Sequence, residues 1–150
     1  MILNNGLKTR KFAVDADITI FVVDDDESVC RGLRKVLKAG GYRVVTFTSV
    51  EEFLKSAPFA GRSVLVLDVC MPGMSGLDLQ KQLMDKGSQI PIIFMTAHEG
   101  TEARTRALEN GAVAFLKKPF RDKVLFDAIR TGIECVHEDS IKFLSVKKDG

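Results

Sequence analysis

Four acidic residues stand side by side where an apolar run near the start of the chain ends. The run Ile18–Val23 has the composition of a buried strand, and it is followed directly by Asp24, Asp25, Asp26 and Glu27. Like charges at this spacing repel each other, by up to roughly 4 kcal/mol per close pair at an effective dielectric of about 20. A divalent cation would neutralise them, so the cluster indicates a metal site.

Polar residues also follow three other apolar runs. "SVLVLD" ends in Asp68, "IPIIFMT" ends in Thr96, and "AVAFLKKPF" places Lys118 after a short run. In a parallel sheet with helices on both faces, functional groups gather outside the carboxyl ends of the strands. We therefore expect Asp24 and Asp25 to share one pocket with these three residues.

The residue types in this predicted pocket are those of phosphoryl transfer. Several carboxylates with a backbone carbonyl form a hard-oxygen site suited to Mg²⁺, which takes phosphate as a further ligand. A carboxylate can act as the nucleophile and form an acyl phosphate, while charge neutralisation and alignment supply much of the catalysis. A lysine ammonium and a threonine hydroxyl can both donate hydrogen bonds to phosphate oxygens. The pattern predicts a magnesium-dependent site for a phosphoryl group.

The apolar runs predict five strands. These are Ile18–Val23, Val44–Phe47, Ser63–Asp68, Ile90–Thr96 and a short strand within "AVAFLKKPF". The third has no polar alternation, which is typical of a strand covered on both faces. A helical pattern follows each strand, and five such repeats predict an α/β fold with one parallel sheet between two helical layers.

Helix ends and buried faces are indicated by spacing and by capping residues. The Gly40-Gly41 pair is expected to end the first helix. Ser49, with Glu52 three residues later, has the spacing of an N-cap with a capping box. The third helix is predicted at about Gly76–Lys86. The expected buried face of the fourth helix is Ala103, Ala107 and Leu108. The last helix carries the apolar residues Val124, Leu125, Ala128, Ile129 and Ile133.

Composition bounds the class of protein. The chain has 150 residues, 45% of them hydrophobic, and a net charge of +2, which fits one globular domain and gives no electrostatic reason to expect nucleic-acid or membrane binding. Its cysteines, Cys30, Cys70 and Cys135, form no CxxC pair and favour reduced thiols. No signal-peptide pattern opens the chain and no apolar run approaches membrane-spanning length, so we expect a cytoplasmic protein.

Four motifs together resemble the receiver domain of two-component response regulators. They are "VVDDDES", "LVLDVCMPGMSG", "IIFMTAH" and "FLKKPF", in this order along the chain. The resemblance covers roughly residues 17–136 and implies a flavodoxin-like (βα)5 doubly wound parallel five-stranded sheet with strand order 2-1-3-4-5. Residues 1–16 and 137–150 are then expected to be tails, the second of which either extends the last helix or docks on a partner.

Position by position, the resemblance implies roles for the polar residues of the pocket. Asp68 is implied to be the phosphoacceptor. The implied ligands of Mg²⁺ are Asp25, Asp68 and the main-chain carbonyl of Cys70. Asp24 is implied to act through water and through a contact to the functional lysine, which is Lys118.

The remaining matches to the family concern switching. Thr96 corresponds to the switch hydroxyl and Phe115 to the switch aromatic. The bond between Lys118 and Pro119 is implied to be cis, a form that is accessible at low cost only before proline. His98 is implied to tune dephosphorylation, with a plain loop histidine as the alternative.

Simpler interpretations exist for several of these residues taken singly. Asp24 and Asp25 could be N-cap residues of the helix that follows them. Thr96 could cap a strand end, and Phe115 could belong to the ordinary core. Asp26 has no implied ligand role.

The resemblance implies a regulatory phosphoacceptor rather than an enzyme acting on a separate substrate. It would accept a phosphoryl group from a sensor histidine kinase or a phosphotransfer protein and catalyse only its own phosphorylation and dephosphorylation. Switching would alter the surface of the fourth helix, fifth strand and fifth helix, whose mixed charges suit either a homodimer interface or a solvated face. Direct contacts with nucleic acid or membrane are not expected. A single-domain regulator and a fragment of a longer protein both remain open.

Three other functional classes fit the sequence less well. A phosphatase of the haloacid-dehalogenase type places a second acid two residues after its nucleophile, and Cys70 occupies that position. A flavin-binding protein needs a hydroxyl- and glycine-rich loop after the first strand, whereas "DDDES" repels a phosphate. A receiver fold that acts as a binding module without phosphorylation would have lost an acid, the threonine or the lysine, and all are present.

Overall fold

Strands and helices alternate along the described part of the chain. The computed structural model describes residues 18–56, 62–98 and 100–149, and the expected N-terminal tail at residues 1–16 lies outside these ranges. The strands are β1 Ile18–Val23, β2 Arg43–Phe47, β3 Arg62–Asp68, β4 Ile92–Thr96 and β5 Ala114–Lys117. The helices are α1 Glu27–Ala39, α2 Val50–Lys55, α3 Gly76–Asp85, α4 Thr101–Glu109 and α5 Asp122–Asp149.

The five strands form one parallel sheet. Its order is β2-β1-β3-β4-β5, and each neighbouring pair runs parallel. The flavodoxin-like fold class and the strand order 2-1-3-4-5 are thereby confirmed. The register sets Asp68 beside Met95 and Thr96 beside Lys117. The carboxyl ends of β3, β4 and β5 therefore meet at one edge of the sheet, next to the end of β1.

Helices cover the sheet on both faces, as is typical of parallel sheets. Because side chains alternate along a strand, Ile20 and Val22 of β1 point to one face and Phe21 and Val23 to the other. Buried helical residues complete the first layer with Cys30, Leu37, Leu125, Ala128, Ile129 and Ile133, and the second with Val50, Phe53, Leu79, Leu83 and Ala107.

Leu108, which was expected on the buried face of the fourth helix, is exposed, so that prediction is wrong, and the apolar Val124 of the last helix is exposed as well. Leu108 is 41% exposed and Val124 is 43% exposed. Successive helical residues point about 100° apart, and in both helices the neighbouring residue takes the inward position. Ala107 is fully buried in α4, and Leu125 is only 1% exposed in α5.

The fourth strand begins later than predicted. It starts at Ile92, not at Ile90, so the prediction is wrong at this boundary. Proline has no N–H to donate to a neighbouring strand. Pro91 can only accept, and its carbonyl oxygen lies 2.9 Å from the Leu65 nitrogen.

The last helix continues through residues 137–149. Its backbone is helical from Asp122 to Asp149, so extension of the helix is the observed alternative for the expected C-terminal tail. Neither this helix nor any other within the described ranges has the apolar length required to cross a bilayer.

Capping interactions set where two helices begin. The Ser49 hydroxyl accepts the Glu52 N–H at 3.1 Å, which confirms the predicted N-cap of α2. At the start of α3 the Ser75 hydroxyl accepts the Asp78 N–H at 3.2 Å, and the Asp78 carboxylate accepts the Ser75 N–H at 3.4 Å. This reciprocal pair fixes the first turn of α3 directly after the loop that follows β3.

The first residue of α3 lies against the end of β3. A Cβ atom built on Gly76 would be 2.4 Å from the carbonyl oxygen of Asp68 and 3.1 Å from the Cα of Val69. The Gly76 N–H also donates to the Val69 carbonyl oxygen at 2.9 Å. A glycine is therefore required where α3 meets the strand end that carries Asp68.

We expect alanine to have opposite effects at two glycines. Gly76→Ala should lower the free energy of unfolding by about 2 kcal/mol or more, because a methyl group cannot share space with a backbone carbonyl. Gly32, exposed within α1, is the matched control, since no described atom lies within 4 Å of its built Cβ. Gly32→Ala should raise the free energy of unfolding by about 0.5–1 kcal/mol. Urea unfolding measures both, and a neutral Gly76→Ala would contradict the close approach.

Candidate functional site

Three carboxylates from two strand ends meet at the carboxyl edge of the sheet. One oxygen from each of Asp24, Asp25 and Asp68 lies within 4.8 Å of the other two. Asp24 and Asp68 are buried, while Asp25 is exposed. The sequence prediction that these acids share one pocket agrees with this placement. Oxygen donors at this spacing are suited to one hard cation, and the exposed carboxylate gives that cation a route from solvent.

Lys118, which follows the edge strand β5, contacts two of these carboxylates. Its Nζ lies 2.6 Å from Asp24 Oδ2 and 3.6 Å from Asp68 Oδ1. Burial alone lowers the pKa of Lys118, but the hydrogen bond and charge of Asp24, with a smaller contribution from Asp68, raise that pKa above its ordinary value. The ammonium group is therefore held in its charged form between the two carboxylates.

The backbone around Lys118 fixes its position. Its N–H donates to the Thr96 carbonyl oxygen at 2.7 Å, and the peptide bond to Pro119 is cis. The hydrogen bond holds Lys118 at the end of β5, next to the end of β4.

The surroundings of the Asp68 carboxylate disfavour its negative charge and so place it under electrostatic stress. Burial and then the charge of Asp24 raise the pKa of Asp68, and Asp25 adds to this effect. Lys118 and a hydrogen bond from the Cys70 backbone N–H lower that pKa, but by less. Asp68 is thus an anion without enough positive charge around it, and a cation or an electrophile placed here would relieve that stress.

Asp24 is held by four hydrogen bonds, of which the sequence suggested only the one with Lys118. Its Oδ1 accepts the Asp26 N–H at 2.9 Å, its Oδ2 accepts from Lys118, and its own N–H donates to Phe47 at 3.1 Å. The Cys30 thiol lies 3.3 Å from the Asp24 carbonyl oxygen and donates to it. Burial and the charge of Asp24 raise the pKa of Cys30, so the thiol keeps its proton.

The residue that caps α1 is Asp26. Its Oδ1 accepts the Ser28 N–H at 2.9 Å and the Ser28 hydroxyl at 2.6 Å. These bonds lower the pKa of Asp26. The alternative in which Asp24 and Asp25 cap this helix is therefore wrong, because the third acid takes the capping position and leaves the first two free to face the cluster.

Thr96 ends β4, the strand next to β3, and Phe115 lies on the neighbouring strand β5. Thr96 is buried, and its hydroxyl donates to the His98 carbonyl and accepts the His98 N–H, both at 3.1 Å. Phe115 is half-buried, with its ring centroid 6.0 Å from that of Phe94. A cavity of about 280 Å³ lies between these residues and Arg104. Thr96 therefore borders open space on the side of Phe115.

Cys70 stands at the other side of Asp68, just beyond the end of β3. Its side chain is exposed, and its backbone N–H is the group that hydrogen-bonds the Asp68 carboxylate. The position puts the peptide of Cys70 at the cluster while the thiol faces outward. This side chain carries no carboxyl, imidazole or amino group.

Comparison with known proteins assigns the fold and the motifs to one family. The model of the response regulator receiver domain matches residues 20–130 of the chain. Among solved structures, the response regulator StyR superposes with a TM-score of 0.81 at 42% identity, covering 89% of this chain and 67% of that one. A structure of FixJ-N superposes with a TM-score of 0.74 at 40% identity, covering 79% of this chain and 94% of that one.

Three other proteins are similar to this chain in sequence. Response regulator protein TmoT of Ectopseudomonas mendocina is 40% identical over 129 residues, which is 86% of this chain and 59% of that protein. Nodulation protein W of Bradyrhizobium diazoefficiens is 46% identical over 115 residues, 77% of this chain and 51% of that protein. Transcriptional regulatory protein FixJ of Rhizobium meliloti is 40% identical over 118 residues, which is 79% of this chain and 58% of that protein. The chain spans a little over half the length of these relatives and belongs to the family of response regulator receiver domains.

Proposed function

We propose that this chain is a phosphoacceptor module of a two-component system and that Asp68 receives the phosphoryl group. The observation that carries the proposal is the stressed anion at Asp68, which lies within reach of two other carboxylates and 3.6 Å from Lys118. Membership of the receiver family supports the same role. Asp68 is buried, ends a central strand and adjoins the N-terminus of α3, so it is held rigidly for attack.

The donor set fits Mg²⁺, because carboxylate and carbonyl oxygens are its usual protein ligands. Asp25, Asp68 and the carbonyl oxygen of Cys70 would hold the ion, with Asp24 contributing through water. When bound, the ion supplies the positive charge that three carboxylates and an incoming phosphate together require. Asp24 keeps its direct contact to Lys118 in this arrangement.

In the proposed reaction, a carboxylate oxygen of Asp68 forms a bond to phosphorus as the bond from phosphorus to the donor histidine nitrogen breaks. The histidine keeps the electron pair and takes up a proton. Lys118, already charged and close to Asp68, would hold a phosphate oxygen. A sensor histidine kinase or a phosphotransfer protein would supply the phosphoryl group, and the domain would act as a regulator that processes only its own aspartate.

The switching step would exchange two hydrogen bonds of Thr96 for one to the phosphate. Its hydroxyl now bonds to the His98 backbone in both directions. Each such bond is worth roughly 0.5–1.5 kcal/mol net, and one to a charged acceptor roughly 1.5–3 kcal/mol, so the exchange is close to balanced. Because the exchange costs little, a modest preference of the phosphate for the active arrangement would be enough to shift the population. The space beside Thr96 would then admit the ring of Phe115, altering the surface of α4, β5 and α5, where a homodimer is one outcome.

The first prediction from the proposed function concerns the phosphoacceptor. With acetyl phosphate and Mg²⁺, intact-protein mass spectrometry should show one phosphoryl adduct, and chelation of Mg²⁺ before acetyl phosphate is added should prevent it. Asp68→Asn should abolish the adduct because an amide is not a nucleophile under these conditions. Asp26→Asn is the matched control, since asparagine also caps helices well, and it should keep the adduct. Undiminished labelling of the Asp68→Asn variant would refute the assignment.

The second prediction concerns Lys118. Lys118→Ala should still bind Mg²⁺ but should bind beryllofluoride, a phosphoryl mimic, about tenfold more weakly, because a charge-assisted hydrogen bond is lost. Chemical shifts of Thr96 and Phe115 should then respond less to the mimic. Lys117→Ala, one residue earlier and exposed, serves as the control and should respond as the wild type does. An equal response from both variants would remove Lys118 from the mechanism.

The third prediction follows from the raised pKa of Asp68. The folded protein holds this proton to higher pH than the unfolded chain, so stability falls as the pH rises from the ordinary value of 3.8 through the raised pKa. At neutral pH without Mg²⁺, Asp68→Asn should therefore raise the free energy of unfolding, by roughly 1 kcal/mol. The gain should shrink on acidification.

Urea unfolding at several pH values, with and without Mg²⁺, measures this effect. Mg²⁺ should stabilise the wild type more than the variant, because a ligand that binds only the folded state adds stability. Asp127→Asn, an exposed carboxylate of α5 outside the cluster, is the control and should show no such dependence on pH. A destabilised Asp68→Asn variant at neutral pH would show that Lys118 outweighs burial and repulsion.

A further inference from the structure

Asp25 is the exposed member of the acidic cluster, and its position is set by its backbone. Asp24 and Asp68 are buried, whereas the side chain of Asp25 lies at the surface. No hydrogen bond from a described residue reaches the Asp25 carboxylate. A side chain without such a bond is directed by its own backbone. The two peptide groups that flank Asp25 therefore decide whether its carboxylate meets the other two.

Hydrogen bonds hold both of these peptide groups. In the peptide after Asp25, the Asp26 N–H donates to Asp24 Oδ1 at 2.9 Å. In the peptide before Asp25, the Asp24 carbonyl oxygen lies 3.3 Å from Cys30 Sγ. A carbonyl oxygen can only accept, so the thiol is the donor in this contact. The backbone of Asp25 is thus held by a carboxylate on one side and by a thiol on the other.

The same thiol lies close to the neighbouring strand. Cys30 Sγ is 3.6 Å from the carbonyl oxygen of Phe47, the last residue of β2, and that oxygen also accepts the Asp24 N–H at 3.1 Å. Cys30 is 5% exposed and belongs to the same apolar layer as Ile129. A free cysteine packs as a small apolar residue. What distinguishes it from alanine or valine here is the S–H donor at the ends of β1 and β2.

We propose that Cys30 is a positioning residue for the metal site, whose thiol holds the peptide between Asp24 and Asp25 so that the Asp25 carboxylate stays within reach of Asp68. The inference rests on the proposed role of Asp25 in holding Mg²⁺. Cys30 acts through the backbone and is not a ligand itself, since Mg²⁺ takes oxygen donors. The thiol undergoes no chemical change in this role.

The first measurement is the affinity for Mg²⁺, from titrations of the full chain followed by amide chemical shifts. Cys30→Ala removes the thiol and should weaken binding about threefold, the size of one weak hydrogen bond. Ile129→Val is the matched control, because it removes one buried methyl group from the same core layer. Its affinity for Mg²⁺ should equal that of the wild type.

Cys30→Ser separates hydrogen bonding from packing. A hydroxyl in an apolar layer is costly unless it is hydrogen-bonded, so packing alone predicts that serine is no better than alanine at this position. Positioning predicts the opposite order, in which Cys30→Ser binds Mg²⁺ more tightly than Cys30→Ala because it keeps a donor. If Cys30→Ala folds poorly, Cys30→Val takes its place, since valine keeps apolar bulk and has no donor.

The second measurement needs no metal. The Asp26 N–H belongs to the other peptide beside Asp25, so its hydrogen exchange reports how firmly this short segment is held. In the metal-free protein, exchange at Asp26 should be about threefold faster in Cys30→Ala than in the wild type. In Ile129→Val it should keep the wild-type rate.

Four results would overturn the inference alone. They are wild-type affinity for Mg²⁺ in Cys30→Ala, an equal loss of affinity in Ile129→Val, no advantage of serine over alanine, and unchanged exchange at Asp26 in Cys30→Ala. Failure of the proposed function has a different signature. In that case the wild type would not bind Mg²⁺, or Asp25→Asn would bind it unchanged, and the role of Asp25 as a ligand would be overturned together with this inference.

Discussion

The ion pair between Asp24 and Lys118 is the interaction on which the site depends. It joins the end of β1 to the end of β5 across two intervening strands, with Nζ and Oδ2 2.6 Å apart. Buried charges are tolerated only when paired, so neither residue can leave without exposing the other to a cost. Asp68 lies between them in the sheet and shares the lysine only weakly, at 3.6 Å. Because the sharing is unequal, Lys118 pairs mainly with Asp24 and compensates the charge of Asp68 less.

The fold makes this arrangement possible because every strand points the same way. Parallel strands end at one edge, so residues far apart in sequence reach one pocket without long loops. The alternation of apolar runs with helical patterns was sufficient to predict the sheet, its double coverage and the edge at which the acids gather. The strand order required the resemblance to a known family, since periodicity says nothing about which strands are neighbours.

Other features depended on interactions that spacing does not reveal. The capping role of Asp26 could not be distinguished from that of its neighbours, because all three are good N-caps. Leu108 and Val124 have apolar side chains but lie one helical position away from the inward face. The Cys30 thiol and the Gln80 amide act through backbone carbonyls distant in sequence. Contacts of this kind appear only when packing is known.

The backbone hydrogen bond from Lys118 to Thr96 has a mechanical consequence. It clamps the ends of β4 and β5 together at 2.7 Å, so these strands cannot slide past each other without breaking it. Movement in this region is therefore expected mainly from rotation of side chains. Thr96 is one that can rotate about χ1, because it borders a cavity. Such rotations are small and fast compared with movements of whole elements. In the proposed mechanism, the scaffold would stay stiff while the signal is carried by the orientation of the Thr96 hydroxyl.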